Sequence, residues 1–238
     1  FCLSRGLGDV YKRQAFGIRL QVFNQAIIDV PLTYLWVIGL TNALNLLDNM
    51  DGLSAGATTI AAAFFFVLAI LNNQILVALL AAALVGSCLG FLIYNYNPAS
   101  IFMGDSGALS LGFLLAVLAM KLQIHNAQNL SFLTAALVLS LPIFDTTFVV
   151  WRRVSEGRRV TQGAKDHTSH RLLHLGLNQR QAAWVLYGAS FLAGFIALVE
   201  SQGSRWMILT IMGPFALGVI AVALVLAKVE TSPPRSLA

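Results

Sequence analysis

Residues Gln74–Asn95 read QILVALLAAALVGSCLGFLIYN, a stretch without a charge in which nearly every side chain is apolar. The hydrocarbon core of a bilayer takes about 20 apolar residues per helix, and an uncharged run of that length is a spanning segment. Working outward, runs of the same character lie at roughly Ile28–Leu47, Leu53–Leu71, Ser106–Lys121, Leu130–Val154, Gln181–Val199 and Arg205–Val229. Backbone groups in lipid must pair within their own segment, so these runs are expected to be helices; no barrel-like alternation is visible. The expected fold is all-α, a polytopic transmembrane bundle of about seven helices. Whole-chain composition agrees. Of 238 residues, 58% are hydrophobic and 11% charged, with a mean hydropathy of +0.76, where a soluble domain is roughly 25% charged.

A net charge of +5 could serve nucleic acid, but the positives are not spread over a soluble surface. They gather in Arg152, Arg153, Arg158, Arg159, Lys165, Arg171 and Arg180. A basic loop of this kind belongs on the cytoplasmic side of a plasma membrane, against its anionic leaflet, and no nucleic-acid partner is expected. Counting spans from the loop at about 152–180 places Asn97–Asp105 and Asp48–Gly52 on the same cytoplasmic face. It places Asn72–Asn73, Lys121–Asn129 and Glu200–Ser204 outside. The regions rich in Asp, Asn and His therefore share one face, as a single site requires. Cys2 and Cys88 are far apart, with Cys88 inside an apolar run, which argues against a disulfide framework or a cysteine metal site. No cleavable signal peptide is visible. Residues 1–14 differ in composition from the rest and place Arg5, Lys12 and Arg13 against the charge rule; they read as a non-native or disordered segment. Residues 15–238 form one transmembrane domain.

Three polar constellations carry chemistry. In Thr41–Gly52, TNALNLLDNMDG, the residues Asn42, Asn45 and Asn49 recur at helical spacing on one face, with Asp48 and Asp51 beside it at the cytoplasmic end. Acids and amides at a membrane helix end are costly unless they work; the bland alternative is a helix end that reaches water. In Asn97–Gly107, NPASIFMGDSG, a Gly-flanked acid opens an apolar helix. Free N–H groups there suit phosphate, and Asp105 could hold Mg²⁺; an ordinary helix cap is the alternative. The Gly-Asp-Ser-Gly run lacks the context of a serine nucleophile. In Asp166–His174, DHTSHRLLH, a helix would set His167, His170 and His174 on one face, fit to grip a diphosphate and pass protons. A zinc site and a solvated basic helix are the rivals. Asp145, after Pro142 in an apolar run, is either functional or paired with Arg152 or Arg153.

Asn42-Ala43-x-Asn45-x-x-Asp48-x-x-Asp51-Gly52-Leu53, then Phe102-Met103-Gly104-Asp105-x-Gly107, then Arg152-Arg153 with the histidine loop, occur in that order. This pattern resembles the polyprenyl-phosphate N-acetylhexosamine-1-phosphate transferases, over roughly Phe16 to Val229. That family includes undecaprenyl-phosphate N-acetylglucosamine-1-phosphate transferases and phospho-N-acetylmuramoyl-pentapeptide transferase. The resemblance implies transfer of a sugar-1-phosphate, GlcNAc-1-phosphate foremost, from a UDP-sugar to undecaprenyl or similar polyprenyl phosphate. UMP would be released at the cytoplasmic face, with Mg²⁺ or Mn²⁺ as cofactor, in cell-envelope polysaccharide synthesis. A homodimer is the implied assembly. Carried over by motif, Asp48, Asp51, Asp105, His167 and His170 are the expected catalytic residues. Asn42, Asn45, Phe102, Gly104, Arg153 and Arg171 are the expected substrate contacts, and Asp105 and Asn45 the metal ligands. Two departures stand out. The histidine loop reads His167-Thr168-Ser169-His170 where the family carries His-x-His-His, and the family's upstream Asp-Asp pair is absent. With about seven helices against about ten or eleven in the family, a carboxy-terminal fragment is the expectation. A non-catalytic remnant or, further off, a transporter are the alternatives.

Overall fold

A computed structural model describes residues 20, 22, 25–124, 131–159, 166–203 and 205–229. The segment 1–14, most of the loop after Lys121 and the Pro-containing tail lie outside the described residues. Within them the chain is helical, with no strand. In chain order the helices are α1 (Ala26–Leu47), α2 (Leu53–Leu71), α3 (Ile75–Asn95), α4 (Gly104–Lys121), α5 (Ser131–Val138), α6 (Ser140–Ser155), α7 (Thr168–His174), α8 (Gln179–Gln202) and α9 (Arg205–Ala227). Helices α1, α2, α3, α4 and α8 are each long and apolar enough to cross a membrane. The run expected as one span at Leu130–Val154 is instead two helices, α5 and α6, bent by 76° at Leu139. Pro142 lies in the first turn of α6 and has no N–H to return to Val138, which breaks the ladder at that point. Among the described residues, counting the bent pair as one gives up to six spans, slightly below the expected seven. Helix α9 is apolar from Trp206 to its end.

Helix α2 forms the centre. It is apolar on every side, as a helix enclosed by others must be, and Phe65, Leu68 and Ala62 are fully enclosed. It packs against α3, α8 and α4. Small residues let the axes approach, since helix pairs in lipid are held by close packing more than by water exclusion. Ala61, Ala81, Ala116, Ala182 and Ala197 are all buried at these contacts. At Gly112 of α4 a Cβ would lie 2.7 Å from Thr41 Cα and 2.9 Å from the Leu40 carbonyl oxygen. That position admits only glycine, and it sets α4 directly against α1. Outer faces are apolar too. On α3, Leu76 and Ile93 are 72% and 76% exposed, which suits contact with acyl chains and not with water.

The connections sort to two ends. At one end Gln123 N–H donates to the Gln74 side-chain oxygen at 3.1 Å, joining the α2–α3 turn to the residues after α4. At the other end lie the α1–α2 turn, the α3–α4 loop and the segment around α7.

Candidate active site

Helix α1 stops at Asp48, whose N–H still reaches the carbonyls of Leu44 and Asn45. The chain then reverses through Gly52, with φ +76°, a left-handed conformation that a Cβ would penalise. The reversal is pinned from two sides. Gly52 N–H donates to Asn95 Oδ1 at 3.1 Å, and its carbonyl accepts from the Tyr187 hydroxyl at 2.7 Å. Asn95 is itself buried, and its amide nitrogen donates to the Ile101 carbonyl at 2.8 Å. One asparagine thus ties the α1–α2 turn to the α3–α4 loop.

Asp51 does the same from the opposite direction. Its Oδ2 accepts from Asn97 Nδ2 at 3.0 Å and from Ala99 N–H at 3.1 Å. Asn97 also hydrogen-bonds the Gln179 side chain at the start of α8. Arg180 donates to the Asn97 carbonyl at 2.9 Å and lies over the Tyr96 ring. The loop is therefore held as it delivers Phe102, Gly104 and Asp105 to the head of α4. Gly104 has φ +67°, and Asp105 in the first turn is exposed, as is Phe102.

Because α1 and α4 run side by side in opposite directions, the end of one meets the start of the other. Asp48 is half-buried there. Burial, then the negative charges of Asp105 and Asp51, push its carboxyl above the usual carboxylate range. Three acids from two separated motifs thus face a common space. Asn45 is half-buried one turn before Asp48. Asn42, a turn further into α1, is exposed, and its amide returns to the Ile38 carbonyl at 3.0 Å.

The third motif joins at the same end. Ser169 Oγ donates to Asn49 Oδ1 at 2.5 Å, so the head of α7 sits on the α1–α2 turn. Helix α7 begins just after His167, whose Nδ1 is 2.8 Å from Asp145 Oδ2. The other oxygen of Asp145 accepts from Thr168 N–H at 2.7 Å. The His167 and His170 rings meet edge-on at 6.4 Å between centroids, while His174 is exposed. Asp145 therefore pairs with His167 and not with Arg152 or Arg153, the partners its helical spacing offered.

Arg153 turns to Asp166 instead. Its Nε and Nη2 bond the two carboxylate oxygens at 3.0 and 2.7 Å, and the pair is buried. Burial is the largest single influence and would raise the Asp166 pKa, but the Arg153 hydrogen bond and the surrounding positive charge, first that of Arg153, together outweigh it, and the net shift is downward. Arg171 is 1% exposed. It donates to the carbonyls of Asp166, Leu226 and Val229 at 3.2, 3.0 and 2.6 Å and stacks over Phe148. Burial, then the charge of Arg152, lowers its pKa. Both arginines expected as substrate contacts thus bind the fold's own groups, and Arg171 fastens α7 to the end of α9. Sequence reasoning passed over Asn95 and Tyr187, and gave Asp166, which opens the third motif, no role of its own. An amide closing an otherwise uncharged span was the available signal for Asn95; nothing local marks Tyr187.

Among the described residues no three His, Cys, Asp or Glu side chains gather closely enough to enclose a metal by themselves. Zinc, which is held by three or four such ligands, is not favoured there. Mg²⁺ makes a different demand. It keeps several waters and takes one or two carboxylates with substrate phosphates completing its shell, and neighbouring carboxylates that repel each other, Asp48 and Asp105, fit that demand.

Residues 6–123 match the model for glycosyl transferase family 4. The chain is 37% identical over 182 residues to a probable undecaprenyl-phosphate N-acetylglucosaminyl 1-phosphate transferase of Bacillus subtilis, covering 76% of this chain and 51% of that protein. It is 37% identical over 150 residues to the phospho-N-acetylmuramoyl-pentapeptide-transferase of Lactiplantibacillus plantarum, covering 58% and 46%. It is 32% identical over 190 residues to a decaprenyl-phosphate N-acetylglucosaminephosphotransferase of Mycobacterium tuberculosis, covering 72% and 47%. The chain spans about half the length of the curated relatives it matches. A membrane-embedded helical bundle with these motifs in this order belongs to the family of polyprenyl-phosphate sugar-phosphate transferases.

Proposed function

We propose that the protein transfers a sugar-1-phosphate, GlcNAc-1-phosphate foremost, from a UDP-sugar to undecaprenyl or a similar polyprenyl phosphate and releases UMP. The site lies on the cytoplasmic face of the bacterial plasma membrane, where the basic segment Arg152–Arg180 belongs. The observation that carries this reading is the packing of α1 on α4, with Gly112 against Leu40 and Thr41, which brings the amide-and-acid end of α1 to the glycine-flanked head of α4.

In the reaction a phosphate oxygen of the lipid attacks the sugar-bearing phosphorus. A new P–O bond forms, the bond to the UMP oxygen breaks, and UMP leaves with the electron pair. Such chemistry depends on positioning and on neutralising charge at the phosphoryl oxygens. Asp105, with Asn45, would hold Mg²⁺, or Mn²⁺ in its place, which would supply positive charge to the diphosphate. The protein's own residues do the rest. Asn42, Asn45, Phe102 and Gly104 offer amides, an exposed ring and open backbone to the donor and lipid. Asp51 keeps the α3–α4 loop in place. His167 and His170 supply proton-bearing nitrogens at the same end. Arg153 and Arg171 act at one remove, by fixing the segment that carries the histidines. A homodimer is the assembly we expect.

The test is a transfer assay in membranes containing the whole protein, with polyprenyl phosphate, Mg²⁺ and a panel of radiolabelled UDP-sugars. Lipid-linked product with equimolar UMP is expected, UDP-GlcNAc being the best donor. Absence of product from every donor would leave a non-catalytic, lipid-binding role.

A further inference from the structure

Asp145 is buried in α6, just beyond the bend, and both its oxygens are engaged across the gap to α7. We propose that Asp145 is a positioning residue which holds the His167 ring in one tautomer, with the proton on Nδ1 and Nε2 left as the working nitrogen. The proposal rests on the transferase reading for what Nε2 then does, and on geometry alone for how the ring is held.

A carboxylate only accepts hydrogen bonds. Its Oδ1 takes the Thr168 N–H and its Oδ2 faces His167 Nδ1 at 2.8 Å. The ring nitrogen on that side must therefore carry hydrogen, and the basic lone pair moves to Nε2. The aspartate fixes ring orientation through the same two bonds, since Thr168 directly follows His167. Other charged or titratable groups near the ring are Asp166 in the preceding segment, whose charge interacts with it, and His170 on α7. Asp166 is committed to Arg153 of α6, which leaves Asp145 as the carboxylate bonded to the imidazole. Helix α7 is joined to the α1–α2 turn through Ser169 and Asn49, so the tautomer is set at the end of the bundle where Asp48 and Asp105 meet.

Replacing the acid by its isosteric amide gives a sharp expectation. In Asp145→Asn the Thr168 N–H still needs an acceptor and takes the amide oxygen. The amide nitrogen then faces His167 and donates to Nδ1, which forces the proton to Nε2. The chain has only four histidines, so nitrogen-15-labelled histidine in detergent-solubilised protein resolves the ring by nuclear magnetic resonance, with His167→Gln identifying its signal. The wild type should show the Nδ1–H tautomer, and Asp145→Asn the Nε2–H tautomer. In the transfer assay that variant should lose roughly 10²- to 10⁴-fold in kcat, the range for a proton-transfer group, with KM for the UDP-sugar changed by less than about threefold, because ring position is kept. An Nε2–H tautomer in the wild type would overturn the proposal without any variant. So would an unchanged kcat in an Asp145→Asn protein whose tautomer has inverted. A wild type that transfers from no donor would count against the transferase reading alone, and the resonance result would still decide whether Asp145 holds the ring.

Discussion

Asp48 bears a conflict between stability and use. Its carboxyl sits half-buried at the end of α1 with Asp105 and Asp51 for company, and its pKa is raised by burial and by those charges. For an acid with a raised folded-state pKa, ionisation costs the folded protein more than the unfolded chain. Stability is therefore highest below the ordinary carboxylate pKa of about 4 and falls as pH rises from there through the raised value. Asp48→Asn removes the repulsion. In chelator, at neutral pH, it should raise the melting temperature by a few degrees and flatten its dependence on pH above 4, while transfer activity is lost. Site residues commonly show this exchange of stability for function. A melting temperature that falls would mean that the Asp48 carboxylate is needed by the fold. The motif around Asp48 was readable residue by residue, because acids and amides at a membrane helix end announce themselves. Asp145 was flagged for the same reason, yet its partner was not. Helical spacing offered Arg152 and Arg153, and only the fold of the following segment brings His167 to it.

At the scale of elements, the α1–α2 turn is the hinge on which the site hangs. Gly52 takes a left-handed φ, and a Cβ there would come within 3.3 Å of the Tyr187 hydroxyl and 3.4 Å of Leu92 Cδ1. Gly52→Ala should destabilise the protein by about 1–2 kcal/mol from backbone conformation alone, with further loss from crowding. Tyr187→Phe removes the crowding oxygen together with its hydrogen bond to the Gly52 carbonyl. The double variant should therefore be less damaged than the sum of the singles, as expected for neighbours that share a contact. Thermal unfolding in detergent, followed by tryptophan fluorescence, checks both. Strict additivity would place the damage in the backbone alone. The spans themselves were legible because bilayer thickness sets their length whatever the details of packing. The bend at Leu139 was not, since Pro142 lies in an apolar run of unbroken hydropathy and composition there does not separate a kink from a straight span. The partners of the arginines were hidden for a related reason. A cationic loop looks phosphate-binding in one dimension, whereas Arg153 and Arg171 find their anions and carbonyls within the fold.

Across the whole molecule, three motifs far apart in sequence arrive at one end of the bundle. Counting spans already put them on one face, and the hydrogen bonds Asn97–Asp51 and Ser169–Asn49 show them in contact. Sidedness can be read directly. In a background lacking Cys2 and Cys88, single cysteines at Ser100 and Glu156 should react with an impermeant maleimide only in inside-out vesicles. One at Asn73 should react only in right-side-out vesicles. Labelling of Ser100 and Asn73 positions from the same side would break the topology on which the shared site depends.

The central claim is that the meeting of α1 and α4 makes the transfer site, with Asp105 as its metal-binding acid. Asp105 is exposed at the head of α4, and among the described residues no hydrogen bond or ion pair ties its carboxylate to the fold, so Asp105→Asn should fold and elute like the wild type and, with the repulsion on Asp48 relieved, melt no lower. The most direct measurement compares the two in a membrane transfer assay with polyprenyl phosphate, Mg²⁺ and radiolabelled UDP-GlcNAc. The account predicts product from the wild type and a fall of at least about 10²-fold in the variant, the scale on which lost electrostatic stabilisation registers. Equal turnover by both proteins would contradict it and remove Asp105 from the mechanism.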